Sequence, residues 1–168
     1  MKEILWLGRG GQGAFTAAKL LGAAYVLKGS GFHALAFPSF GPERRGAPVR
    51  AFTKLDTKPV LDRSETEKAD YIVILDDTLY SESLENHLKE NGRIFINSRT
   101  VSGGNITAYD ADSVAAELKL PTVNTVMLGI AASLSGITGL DELSSAINQY
   151  MPEKIRDKNV TAVREAFE

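Results

Sequence analysis

Gly8-Arg9-Gly10-Gly11-Gln12-Gly13 follows the apolar run Ile4-Leu5-Trp6-Leu7 and leads into an apolar, Ala-rich segment. The order is strand, glycine turn, helix. A short, continuously apolar run reads as a buried parallel strand. A helix N-terminus presents backbone N–H groups without partners at an electropositive end. Glycines let the backbone turn tightly there and let a phosphate approach without meeting a Cβ. Two readings fit the turn taken alone. It contacts a phosphate, as in dinucleotide sites, or its glycines merely pack a tight turn on a sheet.

Outward from this turn, strands alternate with helices. Residues 12–28 read as a helix that is apolar almost all round and ends at Gly29-Ser30-Gly31. Residues 32–37 and 49–55 read as strands, and Val60-Leu61 as a short edge strand. Residues 71–75 read as a buried strand broken by Asp76-Asp77-Thr78. Residues 81–90 read as a polar helix stopped by Asn91-Gly92, followed by strands at 93–97 and 106–109. Asp110 or Asp112 caps a helix running to Leu118. Residues 124–134 form a second helix apolar nearly all round, with helices at 140–150 and 159–167 after it. The expected fold is a single α/β domain over residues 1–168. It is Rossmann-like, a three-layer α/β/α sandwich around a mostly parallel, mixed sheet.

The composition is that of an ordinary soluble globular chain, 43% hydrophobic and 24% charged. A net charge of −2 gives no basic face for nucleic acid. The longest apolar run, residues 126–132, falls far short of the ~20 residues a membrane helix needs. The chain opens on a strand, so a cytoplasmic location is expected. With no cysteine, disulfides, thiolate nucleophiles and cysteine-ligated iron–sulfur clusters are excluded within the chain. His33 is expected beside a strand and His87 in solvent, with no metal site. Ser39, Ser64 and Ser98 have no partners at triad spacing. No catalytic residue is assigned.

A dinucleotide site needs an Asp or Glu at the end of the second strand, to hold the ribose hydroxyls. No acidic residue occurs between Glu3 and Glu43. The nicotinamide reading is therefore disfavoured. A second constellation follows, Gly41-Pro42-Glu43-Arg44-Arg45-Gly46-Ala47-Pro48. Its prolines stiffen both ends, and its arginines offer planar forks for carboxylate or phosphate. It reads as an anion-steering loop beside the glycine turn, or as a surface loop in which Glu43 pairs with an arginine. Asp76, Asp77 and Asn97 are expected on the same sheet edge, capping the segments that follow them.

These strings carry a family resemblance. The glycine turn followed by Thr16-Ala17-Ala18, the Pro38-to-Val49 string and Asn124-Thr125-Val126-Met127-Leu128-Gly129 resemble the gamma subunit of pyruvate/2-oxoacid:ferredoxin oxidoreductase. The continuation Gly46-Ala47-Pro48-Val49-Arg50-Ala51-Phe52 looks most like the pyruvate type. The resemblance implies a holoenzyme that decarboxylates a 2-oxoacid to acyl-CoA and reduces ferredoxin. It implies partner alpha, beta and delta subunits that carry the thiamine diphosphate and the iron–sulfur clusters. It also implies that this chain packs at the active site and helps bind coenzyme A. Gly8, Gly10, Gly11, Gln12 and Gly13 would hold a phosphate, and Arg44 and Arg45 would steer the anion. The alternatives are a purely structural subunit without ligand contact and a free-standing NAD-binding protein. The two helices with little polar face would be covered by sister subunits, or by further loops of the chain itself.

Overall fold

The computed structural model describes residues 1–39 and 44–168. Phe40, Gly41, Pro42 and Glu43 lie outside the described residues, and the expected pairing of Glu43 lies there with them.

The inner strands of the sheet show two-sided burial. In β1 (Lys2–Arg9), Ile4 and Trp6 enter one apolar core while Leu5 and Leu7 enter another. The same division separates Val73 from Ile72 and Ile74 in β4 (Ala69–Ile74). It separates Phe95 from Ile94 and Ile96 in β5 (Leu88–Asn97). Side chains alternate across a pleated strand, so a continuously apolar run implies a sheet covered on both faces. With β2 (His33–Pro38), β3 (Pro48–Asp56) and β6 (Ile106–Tyr109), the sheet order is β2-β3-β1-β4-β5-β6. The β1–β4, β4–β5 and β5–β6 pairs are parallel, and β3 is antiparallel to both β1 and β2. The fold is α/β on a mixed sheet, as expected.

The larger core lies beneath α1 (Ala14–Val26), α2 (Ala111–Glu117), α3 (Asn124–Ser135), α4 (Leu140–Tyr150) and α5 (Glu153–Glu165). A buried polar chain pins it to the sheet. Trp6 Nε1 donates to Thr53 Oγ1 at 3.0 Å, and Thr53 Oγ1 donates to the Ala18 carbonyl at 2.9 Å. The second core lies beneath Leu79, Tyr80, Leu84 and Val101. Its cover is made of 3₁₀ turns at Asp77–Leu79 and Glu82–His87.

Four local expectations are corrected. The polar helix over 81–90 is the Glu82–His87 3₁₀ turn, because Leu88 turns into the core and starts β5 there. Asn91-Gly92 is an irregularity inside β5, where Asn91 has φ 62°, and stops no helix. Val60-Leu61 is not a strand; Leu61 is 84% exposed. The last helix starts at Glu153, six residues before 159, directly after Pro152.

The apolar α3 is covered by its own chain. Residues Asn124 through Ala132 are buried, and α5, α1 and α2 pack on the helix. Its missing polar stripe therefore needs no sister subunit. Helix α1 differs, since Val26 and Leu27 stay exposed beside an open groove of about 500 Å³ that reaches Ala34 and Tyr150.

Candidate functional site at the carboxyl edge of the sheet

From β1 the chain runs to β2 and β3 on one side of the sheet. From β4 it runs to β5 and β6 on the other. The two carboxyl ends that part company are those of β1 and β4. Such a switch point is where open α/β sheets form their ligand crevice. The glycine turn occupies it.

Gly8 is still in the ladder, opposite Val49. Gly10 donates its N–H to the Ala47 carbonyl at 2.8 Å, and its own carbonyl accepts from the Gly46 N–H at 3.0 Å. Gly10 and Arg45 form a parallel bridge. The glycine turn and the Arg44-Arg45-Gly46-Ala47 segment are thus one surface, as the sequence placed them. Gln12 serves the turn itself. Its Oε1 accepts the Arg9 N–H at 2.6 Å while its N–H donates to the Arg9 carbonyl at 3.0 Å. Gly11 and Gly13 have φ of 91° and 83°, a left-handed conformation that favours glycine. Gly13 opens α1 with no side chain capping the first-turn amides. The Arg45 stem runs beside Gly11; Arg44 and Arg45 are exposed, with no carboxylate partner among the described residues.

Two further elements close around this turn. Asn124, at the start of α3, donates Nδ2 to the Gly13 carbonyl at 3.3 Å and accepts from Thr122 Oγ1 at 2.7 Å. On the β4 side Asp76 Oδ1 accepts from the Thr78 N–H at 3.0 Å. Burial pushes the Asp76 carboxyl up, but the bonds from Thr78 and Arg9 hold it below the usual carboxylate range. Asp77 accepts from Ser98 Oγ at 2.7 Å. Asn97 Oδ1 accepts from the Ala111 N–H at 3.0 Å, and its Nδ2 donates to Leu75 O and Asp112 Oδ1, both at 3.1 Å. Asp76 thus caps the turn that follows it, Asn97 instead bonds the first amide of α2, and Asp77 bonds a serine hydroxyl and caps nothing among the described residues. Asp110, not Asp112, caps α2, accepting from the Ser113 N–H at 3.1 Å. A crevice of about 270 Å³ opens between Gln12, Leu75, Asp112 and Thr122.

With this edge defined, comparison with known proteins is specific. Residues 3–168 match the family model described as pyruvate ferredoxin/flavodoxin oxidoreductase. The chain belongs to that family. A pyruvate synthase subunit PorC from Methanothermobacter marburgensis is 43% identical, covering 100% of this chain and 97% of its own. A pyruvate/ketoisovalerate oxidoreductases common subunit gamma from Thermococcus litoralis is 38% identical, covering 100% and 96%. The crystal structure of pyruvate oxidoreductase subunit PORC from Thermotoga maritima superposes with a TM-score of 0.82 at 33% identity, covering 99% of this chain and 94% of that one. A 2-oxoglutarate:ferredoxin oxidoreductase from Magnetococcus marinus, solved with 2-oxoglutarate, coenzyme A and succinyl-CoA bound, shares the fold, with a TM-score of 0.77 at 18% identity. This chain covers 30% of that one. The chain is a non-autonomous enzyme subunit of the gamma type, and it works with partner subunits. Among the described residues, no helix is long and apolar enough to cross a membrane.

Sequence reasoning missed Arg9 and Asn124 as parts of this edge. The signal for Arg9 was available, since it is the only charged residue between Glu3 and Lys19 and stands inside the glycine turn. Asn124 entered only as the first residue of a family string, because its contact with Gly13 spans 111 positions and leaves no local mark.

Proposed function

We propose that this chain, folded as one domain, contributes a coenzyme A-binding edge to a multi-subunit pyruvate:ferredoxin oxidoreductase in the cytoplasm. The holoenzyme decarboxylates the oxoacid, transfers the acyl group to coenzyme A and reduces ferredoxin. The chain packs at that active site against alpha, beta and delta subunits. Thiamine diphosphate and the iron–sulfur clusters sit on those partners; a chain without cysteine has no thiolates to hold a cluster.

The observation that carries the reading is the bridge between Gly10 and Arg45. It joins the exposed Arg44-Arg45 segment to a turn that leads, through left-handed glycines, into a helix N-terminus with no side-chain cap. Coenzyme A carries a pyrophosphate and a 3′-phosphate, which suit first-turn amides and arginine forks. Gly11 and Gly13 lie nearest the phosphate. Gly8 and Gly10 keep the turn thin, and Gln12 braces it. The crevice beside Gln12 offers room for a neighbouring part of the ligand. The chain's own groups bind and orient, and supply no proton or nucleophile.

Calorimetric titration of the reconstituted complex with coenzyme A and with NADH tests this. Coenzyme A binds and NADH does not. Tight NADH binding instead would restore the dinucleotide reading. Failure to bind coenzyme A in an intact complex would leave a purely structural subunit.

A further inference from the structure

The side chain of Arg9 reaches three acceptors on two segments. Nε donates to Asp76 Oδ2 at 3.2 Å, Nη1 to the Gly46 carbonyl at 3.1 Å, and Nη2 to Thr78 Oγ1 at 2.9 Å. Asp76 in turn accepts from both the N–H and the hydroxyl of Thr78. One guanidinium therefore ties the end of β1, the turn after β4 and the arginine segment together across the switch point. Arg44, Arg45 and Gly46 are exposed, and a Cβ on Gly46 would meet nothing within 4 Å. Among the described residues, the hydrogen bonds that hold this segment are those with Gly10, the one from Arg9 and the Ala47 N–H to the Arg44 carbonyl. Gly46 is gripped from both sides, its N–H by Gly10 and its carbonyl by Arg9.

We propose that Arg9 is a positioning residue: by holding the Gly46 carbonyl it fixes Arg45 over the glycine turn, and so sets the affinity for coenzyme A without touching it. The inference rests on the coenzyme A reading above. All three of its donor nitrogens are engaged by protein acceptors, whereas Arg45 is exposed. The two arginines thus divide the work of holding and binding.

The test uses the reconstituted complex carrying Arg9→Met, Arg9→Lys or Arg45→Ala. Steady-state kinetics and hydrogen exchange at the Gly46 amide are the readouts. Arg9→Met raises the KM for coenzyme A about tenfold, leaves kcat and the oxoacid KM within about twofold, and speeds exchange at Gly46. Arg9→Lys keeps a charge opposite Asp76 but cannot span three acceptors, so it restores part of the affinity. Unchanged exchange at Gly46 in Arg9→Met overturns the proposal. So does an unchanged coenzyme A KM in Arg9→Met when Arg45→Ala raises it. If neither variant moves that KM while Gly46 exchange rises, the coenzyme A reading itself has failed and Arg9 only braces the loop.

Discussion

Gly10 and Arg45 face each other in a parallel bridge, and no Cβ fits at position 10. One built there would overlap the Arg44 carbonyl and meet the Arg45 Cα at 3.0 Å. Backbone atoms cannot move aside as a flexible side chain can. Gly10→Ala is expected to push the arginine segment off the turn and to lower stability by about 1–3 kcal/mol, as overpacking does. Chemical denaturation of the purified chain measures this. A midpoint equal to that of the parent would show that the segment yields freely.

Gly13 presents a different constraint. Its φ of 83° is left-handed, and a Cβ would overlap the Asn124 amide. The backbone term alone amounts to about 1–2 kcal/mol. Gly13→Ala is expected to exceed it because of the overlap. In an Asn124→Ala background the overlap is gone, so the penalty should fall back to about the backbone term. A double-mutant cycle on unfolding free energy reads the coupling; strict additivity would contradict the contact.

Lys54 lies at the opposite end of the strands and is fully buried. Its Nζ is 2.9 Å from Asp62 Oδ2 and 3.5 Å from Glu3 Oε1. Glu3 is shared with Lys89 at 3.1 Å. Lys54→Ala leaves a cavity and removes one of the two cations beside Glu3. A loss of roughly 3 kcal/mol is expected, with Lys54→Met milder because it fills the space. Equal losses for the two variants would mean that charge alone matters there.

Acid sensitivity follows from the carboxylates. Hydrogen bonds from Ser64, then from Lys54, hold Asp62 far below the usual carboxylate range. Bonds from Ser113, then Arg99, do the same more mildly for Asp110. Asp76 is depressed as well, the bonds from Thr78 and Arg9 outweighing burial. A carboxyl with a lower pKa folded than unfolded contributes fully above the unfolded value of about 4, and loses that contribution as pH falls through the folded value. Lys89 runs the other way. Burial pushes it down, but Asp70 and Glu3 raise it overall, so its contribution is present below about 10.4 and lost as pH rises through the folded value. The denaturation midpoint is expected to be flat from about pH 5 to 9 and to fall below about 4. Asp62→Asn should make the acid limb shallower. A decline that begins above about pH 6 would contradict this assignment.

Much of the fold was legible because burial wrote it locally. The two-faced strands at β1 and β4, the glycine ends and the amphipathic α4 all carry their signals within a few residues. What failed was decided at a distance. Leu88 is one apolar residue in a polar stretch, and only its seat in the second core makes it the start of β5. The polar first half of α5 leads into a second half that is anchored at a distance, where Asn159, Ala162 and Val163 are buried and Asn159 accepts from Thr125 of α3. The uniformly apolar α3 looked like a subunit interface because a linear reading cannot tell its own chain's cover from a partner's. At the candidate site the glycines and arginines were legible as a set. The bonds of Arg9 were not, since they depend on segments 37 to 69 positions away.

The most direct test of the central claim is the coenzyme A dissociation constant of the reconstituted complex with and without Arg45→Ala, taken together with the oxoacid KM. The account predicts that coenzyme A binds about tenfold more weakly, the loss of one charge-assisted contact, with the oxoacid KM unchanged. Equal coenzyme A affinity in a fully assembled variant complex would contradict it.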